Sequence, residues 1–468
     1  LKNGLLGNLS ANAVQLVINQ FCGLIIFYIL STQLNKADFG SVNLALAILL
    51  TVFSLLSLGM DQVLIRKTAS GYPLKNILSL YFVHVLLTGL LFLGVILLCS
   101  FFLGQENTLY PILLAIGSGK LLIYFSTPFK ILASGLERFR LLGYMLVISN
   151  IIRSLGLLTL ALFKAVTLKE TILLFVLGDL IEFIICLYLF KRNIKVPISL
   201  RAEKREYFNL LRESVPQVGV VILTSAMARL DWIFIGFMVS AVKLAEYSFA
   251  YKIFELSTLP LLAIAPILLP RFIKMFKTGD DVSNKLRLIV KAELAIAMVS
   301  ALVLNILWQP VVDFITKGKY GAVNLHTIFF LSLCIPFLYL NNFLWSIYFA
   351  KGQMKMILLS FIISFLTNLI LNIILIPYAG NEGAAIAFLA ASVVQTAFYL
   401  YQNQLSQLNT LWRDLATFLV LALFSGFLFN YLQLGYLFSL VMSILLFLFL
   451  LFLSGQLKWT DLKGFIQR

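Results

Sequence analysis

Charge is what this sequence has least of. Only 12% of its 468 residues are Asp, Glu, Lys or Arg, about half the share of a soluble domain. A soluble chain of this length needs a polar shell over its core, and the residues for one are missing. Cysteine and histidine are scarcer still. Cys22, Cys99, Cys186 and Cys334 all lie in apolar stretches without metal-ligand spacing, and the histidines are His84 and His326 alone. A disulfide framework and a structural zinc site are both excluded as organising principles. No charged head, apolar core and small-residue cleavage site opens the chain. Its first helix, studded with amides, is expected to be retained.

What is present is apolar length. Hydrophobic residues make up 61% of the chain, the mean hydropathy is +0.98, and runs of about 20 apolar residues, each long enough to span hydrocarbon, recur from end to end. The fold class expected is all-α: a polytopic membrane protein of about fourteen transmembrane helices. The spans are placed at 9–30, 42–60, 77–100, 109–132, 141–163, 169–190, 214–238, 245–270, 288–308, 324–350, 356–377, 382–404, 412–431 and 436–454. Splits are placed at Pro377-Tyr-Ala-Gly380 and near Gln433-Leu-Gly435.

The net charge of +16 suggests nucleic acid only until its placement is read. With the N-terminus inside, 25 of the 36 Lys and Arg fall in inner segments, and six, Lys36, Lys164, Lys169, Lys243, Lys317 and Lys319, fall in outer ones. That asymmetry is the positive-inside rule. It predicts an even number of spans with both termini cytoplasmic, and it removes any need for nucleic acid. The longest inner segment, roughly 191–213, divides the chain. The expected organisation is an N-terminal lobe 1–195 (spans one to six), a cytoplasmic linker 196–213, a C-terminal lobe 214–408 (spans seven to twelve), and 409–468 holding spans thirteen and fourteen and a tail. Echoes six spans apart, Ala37-Asp-Phe-Gly40 with Ala245-Glu-Tyr-Ser248 and Ala133-Ser-Gly135 with Ala350-Lys-Gly352, fit a parallel repeat.

The remaining cations lie within spans: Lys120, Arg153, Arg229, Lys252 and Lys291. Lys291 is near an inner end and can snorkel. The other four sit where one charge costs about 2.5–3.5 kcal/mol on insertion scales, so each needs protein, water or a charged cargo. Acids are close by. Asp179 and Glu182 share a helix face and repel unless Lys120 and Arg153 neutralise them, and Lys252 and Glu255, three apart, can pair. Arg229 and Asp231 stand about 200° apart on their helix and cannot satisfy one another. Structural pairing and cargo binding stay open for all of these. Span one adds a polar stripe, Asn8, Asn12, Gln15 and Asn19, read as a cavity wall in preference to an interhelical seam. Span eleven carries Ser360, Ser364, Thr367, Asn368 and Asn372, and prolines at 216, 260, 266 and 270 invite kinks in spans seven and eight.

Asn368-Leu-Ile-Leu-Asn372-Ile-Ile-Leu-Ile-Pro377-Tyr-Ala-Gly380-Asn-Glu-Gly383-Ala-Ala385 resembles a junction of helices eleven and twelve typical of the polysaccharide flippases of the MOP superfamily, relatives of lipid II flippases and MATE drug exporters. Ala37-Asp-Phe-Gly40, Leu58-Gly-Met-Asp61 to Arg66, Asp231-Trp-Ile-Phe-Ile-Gly236 and Tyr247 to Leu256 add to a resemblance over essentially the whole chain. It implies two six-helix lobes in an inverted V, with helices one, two, seven and eight lining a cationic cavity. It also implies an undecaprenyl-pyrophosphate-linked oligosaccharide flipped from the inner to the outer leaflet of the bacterial cytoplasmic membrane. The cargo-binding residues expected are Asn12, Gln15, Asn19, Lys120, Arg153, Arg229 and Lys252. Ion-coupling candidates are Asp231, Asn368, Asn372 and Glu255, with Na+ or H+ open; the family's second helix-eleven acid is an amide here. No metal or other cofactor is called for. The partners expected are the lipid-linked glycan, the bilayer and a polymerase or ligase of the same pathway, on a monomer. A MATE-type exporter of small cations and a membrane glycosyltransferase or polymerase are the competing readings; the short outer loops speak against an enzyme.

Overall fold

The structure is a computed structural model. It describes residues 2–102, 109–200, 203–261, 272, 275–276, 282–402, 410–432 and 434–456, with the backbone alone at 2–13, 100–102, 216, 220, 224, 226–228 and 282–285. Among these residues there are helices and no strands. In order they are α1 Lys2–Gln33, α2 Lys36–Leu56, α3 Met60–Ala69, α4 Leu74–Phe102, α5 Leu109–Gly135, α6 Phe139–Leu162, α7 Leu168–Asn193, α8 Lys204–Met238, α9 Ala241–Ser257, α10 Val282–Thr316, α11 Leu325–Ala350, α12 Met354–Tyr401, α13 Leu411–Tyr431 and α14 Tyr436–Leu453. Eleven described segments are long and apolar enough to cross a membrane, so the chain is a multi-pass membrane protein. The expected span 245–270 runs past Leu261 out of the described residues, as do Gln433 and the tail from 457.

Local chemistry sets the ends. Asn35 caps α2 by accepting from the Asp38 amide (2.8 Å), while its own amide donates to the Asp38 carboxylate (2.7 Å). Thr167 and Ser240 cap α7 and α9 in the same way, each satisfying an amide that the first turn leaves unpaired. The run 61–76, expected as a loop, holds the short helix α3. It follows a turn in which Leu58 and Gly59 have positive φ. A β-carbon on Gly59 would also stand 2.6 Å from Gln217 Cβ, so both the turn and the approach of α8 require glycine. The start of α8 at Lys204 lies within the stretch expected as linker.

The expected break at Pro377-Tyr-Ala-Gly380 is present as a bend in α12. Gly380 has φ 53° and ψ −124°, a conformation closed to residues with a β-carbon. Three residues on, a β-carbon at Gly383 would stand 2.5 Å from the Leu375 carbonyl oxygen, so the second arm folds back hard against the first.

The chain divides into two compact units, Leu1–Gly236 and Phe237–Arg468. In the first, α5 packs between α4 and α7, and α1 lies along α6. Its apolar core is centred on Leu49, Tyr81, Ile116, Phe129 and Phe190. In the second, α11 packs against α10 and α12 around Leu294, Leu340, Phe343 and Tyr399. Small residues let polar helices close in the first unit, a role they take in membranes because lipid offers no hydrophobic drive between helices. Outward faces are plain hydrocarbon: Leu87, Leu90, Leu91, Val95 and Leu98 form one exposed stripe of α4 at helical spacing.

Candidate functional site

The most concentrated chemistry lies in the first unit, where α5, α6 and α7 meet. Asp179 of α7 is fully buried and takes two cations on one oxygen: Lys120 of α5 at 3.3 Å, and Arg153 of α6, which donates to the same atom. Arg153 also lies over the Phe175 ring, 4.7 Å from its centroid. One turn along α7, Glu182 is taken by Lys130 of α5 at 2.5 Å. Three cations thus face two carboxylates, leaving one positive charge in excess. Glycines make room for them. A β-carbon on Gly119 would stand 2.8 Å from Asp179 Oδ2, and one on Gly178 would stand 3.1 Å from Arg153 Cγ.

Of the two outcomes left open for Lys120 and Arg153, both side chains are engaged structurally. Lys130 completes the array. It lies at the inner end of an apolar run, where a lysine reads as a loop charge; what betrays it is that Glu182 otherwise lacks a cation.

Beside this array is a cavity of about 220 Å³ lined by Lys120, Asp61, Tyr124, Thr127, Ser57 and the apolar edge of α2. A chain of polar contacts leads away from it. Tyr81 donates to Asp61, Tyr124 donates to the Leu56 carbonyl (3.0 Å), and His84 bridges that carbonyl (2.9 Å) and the Tyr207 hydroxyl (3.0 Å). Burial pushes the Asp61 carboxyl above the ordinary range, with the Tyr81 hydroxyl opposing in part. His84 drew no functional reading from the sequence; its two ring nitrogens are both used in bracing α4 against the α2 end and α8.

Span one's stripe falls along α6. Asn150 donates to Asn19 (3.1 Å), and Gln15 packs over Gly143; both amides are half-buried. The Asn12 side chain lies outside the described residues. In α8, Arg229 is half-buried with its guanidinium over the Trp232 ring, 4.5 Å from the centroid. Asp231 is buried, and its carboxylate accepts from the Trp232 amide (2.9 Å).

The second unit carries the other candidates. Lys252 and Glu255 pair at 2.7 Å across one turn of α9, with Glu255 the more exposed. Asn372 donates to Asn368 (2.9 Å), both buried in the first arm of α12, and the Asn372 carbonyl oxygen has no partner. A larger cavity of about 530 Å³ runs between α10, α11 and α13, apolar except for Asn305, Gln309, His326, Ser332 and Asn430. Among the described residues no group of three or more His, Cys, Asp or Glu is gathered to hold a metal.

Residues 5–276 match the family model described as polysaccharide biosynthesis protein. No curated protein sequence matches the chain. Among solved structures, the chain is similar to the lipid II flippase MurJ in an inward closed conformation. There the identity is 16% and the TM-score 0.73, over 94% of this chain and 97% of that one. It is also similar to an inward-facing multidrug resistance MATE family transporter of the MOP superfamily (14% identity, TM-score 0.65, over 83% and 97%). A MOP superfamily transporter from Pyrococcus furiosus Vc1, described as having a binding pocket of reverse polarity, aligns with TM-score 0.56 and 14% identity over 84% and 92%. The fold is the one these transporters share.

Proposed function

Because the chain belongs to the polysaccharide biosynthesis protein family, we propose that it is a flippase. Its cargo is an undecaprenyl-pyrophosphate-linked oligosaccharide, an O-antigen, capsule or exopolysaccharide repeat unit. It carries that lipid from the inner to the outer leaflet of the bacterial cytoplasmic membrane by alternating access between two lobes. The observation that carries this reading is a polysaccharide-family sequence on a fold shared with a lipid II flippase.

The chemistry supports it. A diphosphate crossing hydrocarbon needs cations to replace its water, and glycan hydroxyls need amides and aromatic faces. Arg229 beside Trp232, Lys252 and the α1 amides Gln15 and Asn19 supply those types. Lys120 and Arg153 fix an excess positive charge beside the small cavity that Lys120 and Asp61 line. An exporter of small cations calls for uncompensated acids, whereas Asp179 and Glu182 of the first unit each face a cation. Asp231, Asn368, Asn372 and Glu255 remain the proposed places for a coupling Na+ or H+, on a monomer with both termini cytoplasmic.

Replacing Arg229 or Lys252 with Ala abolishes surface glycan while the protein still inserts, on this reading. Normal surface glycan in both cation variants overturns the cargo assignment.

A further inference from the structure

Glu293 is a buried acid that the proposed cargo path does not use. It lies in α10, within the membrane span Leu286–Thr316. It is 3% exposed, and neither carboxyl oxygen has a hydrogen-bond partner. Four other buried acids are held differently. Asp179, Glu182, Glu246 and Asp414 are equally buried, and each has a Lys or Arg within 4.0 Å.

Among the described residues, the elements packed against α10 carry titratable groups that are engaged elsewhere. Lys291, two residues before Glu293, points about 200° away around the helix; it donates to the Gln456 carbonyl at 3.0 Å and lies 4.0 Å from Asp414. On α9, Lys252 and Glu255 hold one another, as do Lys243 and Glu246. On α13, Asp414 faces Arg287, and Arg413 is exposed. His326, Cys334 and Tyr348 of α11 and Tyr436 of α14 make no hydrogen bond to Glu293. Among the described residues, Tyr339 of α11 is a titratable group close enough to feel a charge on Glu293. The Tyr339 hydroxyl is itself unbonded, and it approaches Ser300, two turns along α10 from Glu293, and the backbone of Leu261. Asn342, on the Tyr339 face one turn on, has a buried amide nitrogen without a partner.

An ionised carboxylate in such a place is prohibitively costly, and the group neutralises instead. The atoms on hand select how. A metal cation calls for a shell of oxygens and compensating charge. Here, among the described residues, the near group is the neutral Tyr339 hydroxyl, and no cluster of acids is gathered. A proton needs neither, and it turns the carboxylate into one donor and one acceptor. The 530 Å³ cavity is lined by Met298, two residues from Ser300, and by Pro336, three from Tyr339, while Glu293 itself is not on its wall.

We propose that Glu293 is a proton-binding site of the second unit, protonated while buried and ionised when the α10–α11 seam hydrates during the transport cycle. A group whose proton affinity differs between two conformations couples protons to the equilibrium between them. The coupling role rests on the transport reading above; the protonation does not.

The test is infrared difference spectroscopy of the full chain in lipid nanodiscs at neutral pH, in sodium-free buffer, comparing wild type with Glu293→Gln and Glu293→Asp. A protonated-carboxyl carbonyl band that shifts in heavy water is expected in wild type. It is lost in Glu293→Gln, retained at a displaced frequency in Glu293→Asp, and indifferent to added Na+. Absence of the band overturns the proposal, as does its disappearance on adding Na+ at constant pH, which would make the site a metal-cation site. No cargo is needed, so the band decides the proton site even if wild type fails to flip a lipid. A wild type that flips lipid without the band leaves the flippase reading standing.

Discussion

Replacing Asp179 with Ala strips the counter-ion from two buried cations at once. The Asp179 side chain is 1% exposed, and those of Lys120 and Arg153 are 16% and 7% exposed, so water cannot take over. Glu182 cannot substitute, because Lys130 holds it at 2.5 Å. Breaking a buried ion pair by deleting one partner costs about 3–5 kcal/mol, equivalent to roughly two to three and a half decades in the folded population. Lys120→Met is milder. Arg153 still neutralises Asp179, and the loss is that of one charge-assisted hydrogen bond, about 1.5–3 kcal/mol. Removing all three charges together, as Lys120→Met, Arg153→Met and Asp179→Leu, returns stability to within about 1–2 kcal/mol of wild type, because a buried ionic group gives little net stability over an apolar replacement. Equilibrium unfolding by steric trapping in bicelles reads all three values, and their non-additivity measures the coupling. An Asp179→Ala protein within about 1 kcal/mol of wild type, or a triple variant no better than Asp179→Ala, refutes the description of this array as a closed ionic core.

Lys130→Met leaves Glu182 buried without its cation and costs about 3 kcal/mol or more, read by the same unfolding assay. Gly383→Val drives a β-carbon into the Leu375 carbonyl and lowers the thermal midpoint sharply, whereas Gly143→Ala, where a β-carbon meets only ordinary contacts with Gln15, leaves it nearly unchanged. The Asp61 carboxyl is raised by burial, so the folded state holds its proton more tightly than the unfolded state. Its contribution is therefore present below the ordinary carboxylate pKa and is lost as pH climbs through the raised one. Unfolding midpoints across that window fall with pH in wild type and flatten in Asp61→Asn.

Much of this architecture is visible in the chain because a membrane makes every charge conspicuous. Lys120, Arg153, Asp179 and Glu182 stand out against leucine and isoleucine, and helical spacing already puts the two acids on one face. Lys252 and Glu255 pair as their spacing suggests. Gly380 marks the bend in α12 because proline and two glycines interrupt an otherwise continuous apolar run. Other features depend on packing that no local pattern encodes. α3 has ten residues, three of them charged, and reads as loop until it packs on α5. Lys130 looks like one more inner-face lysine, and only its distance to Glu182 reassigns it. Glu293 drew no reading from the sequence; two residues from Lys291, it is turned about 200° away from that cation. Span one's amide stripe was read as a cavity wall, and what the spacing could not supply is that α6 presents Asn150 to Asn19.

The most direct measurement is reconstitution of the purified chain into proteoliposomes carrying labelled undecaprenyl-pyrophosphate-linked oligosaccharide. Access of the label to a membrane-impermeant reagent is followed with and without sodium and proton gradients. The account predicts protein-dependent exchange of the lipid between leaflets, lost in Arg229→Ala. Leaflet exchange no faster than in protein-free vesicles, alongside gradient-driven export of small organic cations by the same preparation, contradicts it.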